Sequence, residues 1–175
     1  MPKNSENKTL REHEETRMIA DLSETFLRFG AVSEFAGDAA AYGLGFAVRS
    51  GSAGSEAAFE TLMISAQDRR NLGRSRCAIA ALGIAGDRRA VDVLIQIITD
   101  SDDVLYSSCG TAVRALGLIG DRRALKPLKE FSRRKEDVLG YVEDAIAAIK
   151  EANPMPARPR ARPAAEKTEI TGPKG

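Results

Sequence analysis

Apolar residues recur at helical spacing along most of the chain, and the clearest pattern lies in two copies of one segment. The stretch ALGIAGDRRAVDVL, residues 81–94, returns as ALGLIGDRRALKPL, residues 115–128, with nine of fourteen positions identical at an offset of 34 residues. A fixed offset of this size is typical of stacked supersecondary units. We therefore expect repeated helical hairpins.

Each copy predicts a helix, a tight turn and a second helix. Gly86 and Gly120 are expected to end the first helices, since glycine adopts the left-handed conformation without steric cost. Asp87 and Asp121 then follow as N-caps that accept hydrogen bonds from the next helix. The first helices place these apolar residues on one face: Ala78, Ala81, Leu82 and Ala85, then Ala112, Ala115, Leu116 and Ile119.

The second helices have apolar faces of their own. Pro127 lies too deep for the first helical position, so the later of these helices is expected to begin late or to bend. The residues predicted to be buried are Val91, Leu94, Ile95 and Ile98 in the first copy, and Leu125, Leu128 and Phe131 in the second.

The first half of the chain repeats less clearly. Thr9 and Glu12 form a possible capping box before a long helix. A second helix contains Gly43 and Gly45, which would weaken it unless another backbone packs close by. After a loop, Ser55 is expected to cap the next helix.

These patterns divide the chain into three parts. Residues 1–8 are polar and expected to be disordered, residues 9–152 form the helical body, and residues 153–175 form a tail. The tail contains five of the seven prolines and five Lys or Arg against two Glu, which favours a flexible, extended segment. A helix within residues 136–152 is expected to cap the array.

Composition bears on the kind of partner and on the cellular location. The net charge of +1 gives no global reason to expect nucleic acid or an anionic membrane as the partner. The chain has no run of 18 apolar residues, its start lacks the apolar core of a secretory signal, and its two cysteines suit a reducing compartment. We therefore expect a cytoplasmic protein with no membrane span.

The two copies resemble the HEAT-like repeats first recognised in phycobilin lyase subunits, whose pattern is roughly A-L-G-x-I-G-D-x-R-A-V-x-P-L. Arg89 and Arg123 fall on the arginine position of that pattern. The similarity is specific over residues 78–128, weaker over residues 137–152 and weak before Gln67. The resemblance implies an all-α fold, a short α-solenoid of HEAT-like hairpins that most often serves as a protein-binding scaffold. It does not imply lyase activity, because the repeat occurs in proteins with unrelated roles.

Catalytic constellations are not evident in the sequence. His13 is the only histidine, whereas metal sites and histidine-activated nucleophiles need histidine near partners. The HEAT-like deoxyhypusine hydroxylases build their iron site from several His-Glu pairs, and this chain has one, His13–Glu14. Cys77 and Cys109 are interpreted as buried thiols. We expect no metal, no cofactor and no enzymatic activity.

A charge gradient runs along the second helices, which usually line the concave face of such arrays. It passes from Glu56 and Glu60 to a basic stripe in the last unit. The stripe consists of Arg122, Lys126, Lys129 and Arg133, and Arg134 and Lys135 extend it. Acidic neighbours such as Glu130 leave open a plain solvated face. The candidate partner-binding residues are Arg88, Asp92, Gln96, Arg122, Lys126, Lys129 and Arg133.

Three functions remain open. The first is a non-catalytic scaffold that binds another protein, such as one with an acidic segment, through the concave second-helix face or an exposed end. The second is a nucleic-acid or phosphate-binding module that uses arginine pairs in consecutive turns: Arg69/Arg70, Arg74/Arg76, Arg88/Arg89 and Arg122/Arg123. The third is an accessory or chromophore-lyase-like subunit of an enzyme complex. Under the first function, we expect the turn arginines to bridge neighbouring repeats.

Overall fold

The described part of the chain is helical throughout. A computed structural model describes residues 3–28, 34–100, 106–134 and 139–154, and within these ranges there are α-helices, short 3₁₀ turns and no β-strand. The helices are α1 Lys3–Leu27, α2 Glu34–Ser50, α3 Ser55–Ala66, α4 Leu72–Ala85, α5 Val91–Thr99, α6 Tyr106–Ile119, α7 Leu125–Arg134 and α8 Leu139–Ala152.

The helices form two rows, as expected for a solenoid. The first helices α2, α4, α6 and α8 pack side by side in that order, while α3, α5 and α7 form the second row. Helix α1 packs against α2 and α3, at the start of the array. Apolar side chains from both rows form one core that extends from Ile19 to Ile149. This arrangement confirms the prediction of an all-α, HEAT-like solenoid.

Glycines let the first helices approach one another closely. A Cβ atom on Gly45 would lie 2.7 Å from the carbonyl oxygen of Ala81. One on Gly83 would lie 2.8 Å from the Cα of Ala115, and one on Gly117 would lie 2.9 Å from the Cα of Ala145. The expectation that a backbone packs against Gly45 is thus met by α4, and the same device recurs at the next two helix pairs.

The start of the helical body differs from the prediction. Helix α1 begins at Lys3, within the segment expected to be disordered. Thr9 therefore lies inside the helix, where its carbonyl oxygen has His13 Nδ1 at 2.7 Å, and the proposed capping box with Glu12 is wrong. Polar residues continue a helix readily when they need no buried contact, so the polar composition of this segment did not mark a helix start.

The cap of α3 also differs from the prediction. Gly54, with φ of 85°, occupies the N-cap position, and Ser55 is the first helical residue. The Ser55 N–H donates to the Ser52 carbonyl oxygen at 2.9 Å, so backbone atoms close this loop. A left-handed residue before the helix suits glycine, and it moves serine one position inward.

Pro127 fits because the α-helix containing it starts late. A 3₁₀ turn, Arg122–Ala124, precedes α7, so Pro127 is the third residue of the α-helix. The N–H groups of the first turn have no intrahelical acceptor, so proline removes no helical hydrogen bond there. Helix α5 follows a matching 3₁₀ turn, Arg88–Ala90, and so shares this design without a proline.

Two further expectations concern the ends and the membrane. Of the predicted tail, residues 153–175, Asn153 and Pro154 are described, and the rest lies outside the described residues, as does Lys135. Within the described ranges, no helix combines the length and apolar composition that crossing a membrane requires.

Candidate interaction surface

The repeated GDRR segment forms the same turn in both copies. Gly86 and Gly120 have φ of 69° and 72°, and each closes the preceding helix through its N–H. The Asp87 carboxylate accepts from the Arg89 backbone N–H at 2.9 Å, and Asp121 accepts from Arg123 at the same distance. The turn therefore ends one helix and caps the 3₁₀ turn of the next.

The second arginine of the first copy reaches back to the preceding repeat. Arg89 donates to both carboxylate oxygens of Glu56, at 2.6 and 3.1 Å, and to Asp87 at 2.7 Å. Its guanidinium carbon also lies 4.1 Å from the centre of the Phe59 ring. One side chain thus joins α3 to the turn before α5 by paired hydrogen bonds and a cation–π contact.

The equivalent arginine of the second copy repeats this link. Arg123 donates to the two carboxylate oxygens of Asp92, at 3.0 and 3.1 Å, and to the Arg88 carbonyl oxygen at 2.9 Å. It also donates to its own cap, Asp121, at 3.1 Å. Asp92, a candidate partner-binding residue, is therefore engaged within the protein.

The last turn is tied to the end of α8. Arg122 donates to the Asn153 carbonyl oxygen at 2.6 Å, and the Asn153 side-chain amide donates to the Gly120 carbonyl oxygen at 2.6 Å. Residues after α8 are thus hydrogen-bonded to this turn. Arg122, a second candidate for partner binding, is also held within the array.

Electrostatics in these turns follows from the pairing. The side-chain hydrogen bonds from Arg89 hold the pKa of Asp87 below its ordinary value, and those from Arg123 do the same for the pKa of Asp121. The carboxylates in turn raise the pKa of both guanidinium groups. These groups are permanently charged links near neutral pH and exchange no protons there.

The basic stripe of α7 is exposed. Lys126, Lys129 and Arg133 point away from the core on a helix that buries Leu128 and Phe131. Lys126 lies 3.9 Å from Glu130 in an i,i+4 pair whose cation is 88% exposed. Within the described ranges, Lys129 and Arg133 make no ion pair. The stripe is therefore a set of exposed, hydrated cations.

The other candidates are divided. Arg88 and Gln96 are exposed, as predicted for the second-helix side, although the Arg88 carbonyl oxygen accepts from Arg123. At the acidic end, Glu56 is engaged by Arg89 and Glu60 is exposed. The structure thus separates the seven candidates into internal links and a surface made mainly of α7.

The arginines proposed for nucleic acid are also divided. Arg74 pairs with Asp68 and donates to the Leu27 carbonyl oxygen at 2.8 Å, which ties α4 to the end of α1. Arg69, Arg70 and Arg76 are exposed. Four of the eight arginines in the proposed set are thus engaged inside the fold: Arg74, Arg89, Arg122 and Arg123.

The residues considered for chemistry lie apart. His13 is exposed on α1, and Cys77 and Cys109 are buried without a disulfide between them. The Cys77 thiol donates to the Asp38 carboxylate at 2.6 Å. Among the residues that the structure describes, no three His, Cys, Asp or Glu side chains form a group able to hold a metal ion.

One surface was missed by the sequence analysis. Tyr42 and Phe46 on α2, Leu118 on α6 and Tyr141 on α8 are large apolar side chains that remain exposed on the first-helix row. The spacing of Phe35, Tyr42 and Phe46 along one helical face was a usable signal. The second helices usually line the concave face of such arrays, so a signal on a first helix did not predict a binding face.

Comparison with known proteins identifies one segment. Residues 109–133 match a family described as PBS lyase HEAT-like repeat. The match covers most of α6, the second GDRR turn and most of α7. It supports a HEAT-like repeat protein and leaves the function unspecified. No curated protein and no solved structure matched the chain.

Proposed function

We propose that this HEAT-like repeat protein is a non-catalytic scaffold that binds another protein through its second-helix side. The docking surface is the basic stripe of Lys126, Lys129 and Arg133, and the partner carries an acidic segment. The proposal includes a cytoplasmic location, which the two buried thiols support.

The observation that carries the proposal is the contrast between two sets of cations. Arg89 and Arg123 form paired hydrogen bonds to carboxylates of the preceding repeat. The α7 cations are exposed, and the one ion pair described there is a long i,i+4 contact. Cations already paired offer little to a partner, whereas hydrated cations on a rigid helix attract and orient an acidic one.

The mechanism is electrostatic steering followed by docking on a preformed face. Exposed charges act over about 8 Å at physiological ionic strength, so the stripe is expected to raise the association rate more than the final affinity. Binding should therefore weaken as salt increases. No proton transfer or bond cleavage is required of this surface.

The test is affinity capture with the wild-type protein and with Lys126→Glu/Lys129→Glu. A matched control is Arg17→Glu/Lys150→Glu, which makes the same charge change at exposed positions on α1 and α8. We expect partners retained by wild type and control to be lost from the stripe variant. Identical partners with all three proteins would refute the stripe as the docking surface.

The nucleic-acid alternative is weakened by the arginine contacts, since half of its proposed arginines are engaged internally. Titrating labelled duplex at two salt concentrations tests it, because phosphate binding falls steeply with salt. Tight, salt-sensitive binding would favour this alternative over the scaffold.

The lyase-related alternative rests on the description of the matched repeat family alone. A bilin titration followed by absorbance tests it. A spectral change at stoichiometric protein would favour a chromophore-handling role, and an unchanged spectrum would remove it.

A further inference from the structure

The first-helix row exposes a line of large apolar side chains, here called the apolar strip: Tyr42, Phe46, Leu118 and Tyr141. Leu118 is 68% exposed, Phe46 58% and Tyr141 53%. Because α2, α6 and α8 belong to one row, the strip crosses the row rather than following a single helix. An extended apolar surface of this kind on a folded protein marks a contact site.

The strip contains most of the exposed aromatic side chains among the described residues. Among described aromatic side chains, Phe26, Phe59 and Phe131 are buried in the core. The other four, Phe35, Tyr42, Phe46 and Tyr141, are exposed. All of these except Phe35 belong to the strip. Aromatic side chains are enriched at protein interfaces, where they contribute large contact area at low entropic cost.

Two neighbouring grooves run between the helices of this row. The groove between α4 and α6, about 230 Å³, is lined by Ala80, Ile84 and Ala115, with Tyr42 at its edge. The groove between α6 and α8, about 450 Å³, is lined by Gly117, Tyr141, Ala145 and Ala148. Leu118 and Arg114 line both grooves. Small residues therefore form the floors, and Leu118 stands between them.

The spacing of the grooves fits an α-helix laid across the row. Neighbouring packed helices lie about 8–10 Å apart, so the two grooves are separated by about that distance. Residues i and i+7 of an α-helix are about 10.5 Å apart along its axis and on the same face. A crossing helix would thus place one apolar residue in each groove.

Charges beside the grooves specify the partner further. Arg114 lines both grooves and Asp144 lines the second, and both side chains are exposed. Within the described ranges, neither makes an ion pair or a side-chain hydrogen bond. A partner that carries a carboxylate near the first groove and a cation near its far end would be complementary to both.

We propose that the apolar strip is a second docking surface, which binds an amphipathic α-helix of another protein. The bound helix has large apolar residues at i and i+7, an acidic residue facing Arg114 and a basic residue facing Asp144. This inference rests on the proposed function, because it assigns a second partner surface to the same scaffold.

The chain's own C-terminal tail is a poor occupant by composition. Residues 155–175 contain four prolines and five Lys or Arg, and their large apolar residues are Met155 and Ile170. This composition does not match the helix that the grooves fit, because proline disfavours helix interiors and the cations would be repelled by Arg114. A second copy of the protein is the other alternative to a partner helix, and sedimentation of the variants distinguishes the two.

The experiment is fluorescence anisotropy with two synthetic helical peptides. Both carry leucines at i and i+7 and a lysine placed to face Asp144. They differ at the position that faces Arg114, which is glutamate in the glutamate peptide and lysine in the lysine peptide. We expect wild type to bind the glutamate peptide and Leu118→Glu to bind it at least roughly tenfold more weakly, the effect of losing a central apolar anchor. Ile64→Glu is the matched control, since Ile64 is 71% exposed on α3 in the other row.

A charge exchange sharpens the result. Arg114→Glu should weaken binding of the glutamate peptide and strengthen binding of the lysine peptide. If Leu118→Glu and Ile64→Glu bind equally, or if wild type binds neither peptide, the inference is wrong. Sedimentation of each variant checks the other occupant: a wild-type dimer that Leu118→Glu makes monomeric would assign the strip to a second copy and overturn the helix partner.

The outcome is separable from that of the proposed function. Lys126→Glu/Lys129→Glu lies on the second-helix side and should bind the glutamate peptide as wild type does. Loss of peptide binding in Leu118→Glu alone supports the strip whether or not the basic stripe captures a partner. Loss in the stripe variant alone would mean that the peptide binds the stripe, which would overturn the inference.

Discussion

The row of first helices and the turns that carry GDRR both join one repeat to the next, but they use different physical interactions. In the row, the absence of side chains at Gly83 and Gly117 lets backbones approach to distances that a Cβ atom would prevent. In the turns, arginine side chains span the gap and form paired hydrogen bonds to carboxylates of the preceding repeat. Close packing has little tolerance for added atoms. Exposed ion pairs contribute little energy each, so a substitution there is expected to cost less stability.

This difference also distinguishes the residues that join the repeats from the residues that remain exposed. The close-packed row leaves Tyr42, Phe46, Leu118 and Tyr141 exposed, and the turns engage arginines that otherwise suggest a phosphate site. The α7 stripe, where the described residues make few internal contacts, is the surface that we propose for an acidic partner. The four predictions below test the contrast between packing and ion pairing, in order of decreasing effect.

The largest effect is expected at the close helix contacts. Gly83→Ala should destabilise the protein, because its Cβ would lie 2.8 Å from the Cα of Ala115. Overpacking of this kind costs about 1–3 kcal/mol, which exceeds the gain of about 1 kcal/mol in helix propensity. Urea unfolding measures the change.

Gly110→Ala is the matched control on α6. Nothing lies within 4 Å of a Cβ atom at this position, so alanine should stabilise the protein by about 0.5–1 kcal/mol. If both substitutions stabilise, the first helices are not in the close contact described here.

The caps come next. Asp121→Ala removes the acceptor for the Arg123 backbone N–H and should lower the free energy of unfolding by about 1 kcal/mol. Asp121→Asn retains a capping oxygen and should cost less. An alanine variant as stable as wild type would show that the turn does not depend on its cap.

Acid should remove the stability that the ionised carboxylates of Asp87 and Asp121 contribute in these turns. The pKa values of Asp87 and Asp121 are lowered in the folded protein, so the stability they add is present above the unfolded pKa of about 4. It is lost as pH falls through the lowered folded values. The stability difference between wild type and Asp87→Asn/Asp121→Asn should therefore shrink below pH 4. A difference that does not change from pH 7 to pH 3 would contradict the pairing.

The smallest effect is expected from the exposed links themselves. Arg123→Gln and Asp92→Asn should each lower the melting temperature slightly, and the double variant should lower it by less than the sum. Additive losses would show that the two side chains do not interact in solution. Raising the salt concentration should reduce the coupling.

The sequence predicted the parts of the fold that depend on residues near one another. The 34-residue offset, Gly86 followed by Asp87, and the apolar spacing of α4 were sufficient for the helix–turn–helix unit. Some contacts join residues 31 to 33 positions apart, such as Arg123 with Asp92 and Arg89 with Glu56. The sequence predicted that turn arginines bridge neighbouring repeats, but it did not predict which carboxylates they contact. Partner identity depends on how the repeats stack, and one copy does not encode it.

Other features of the structure could not be predicted from any single stretch of sequence. Gly83 and Gly117 are identical in the two copies, yet the helix that contacts each is known only from the packing. Helix α1 begins earlier than its capping signal because a polar segment continues a helix without a distinctive pattern. The apolar strip combines residues from α2, α6 and α8, so no single stretch of sequence contains it.

The central claim is that the turn arginines are internal links between neighbouring repeats, whereas the exposed α7 stripe is the surface that we propose for the partner. The direct measurement compares melting temperature and partner affinity for Arg123→Gln and for Lys126→Glu/Lys129→Glu. We predict that Arg123→Gln melts earlier and binds normally, and that the stripe variant melts as wild type and binds weakly. The reverse pattern, with lost binding in Arg123→Gln at unchanged stability, would contradict the account.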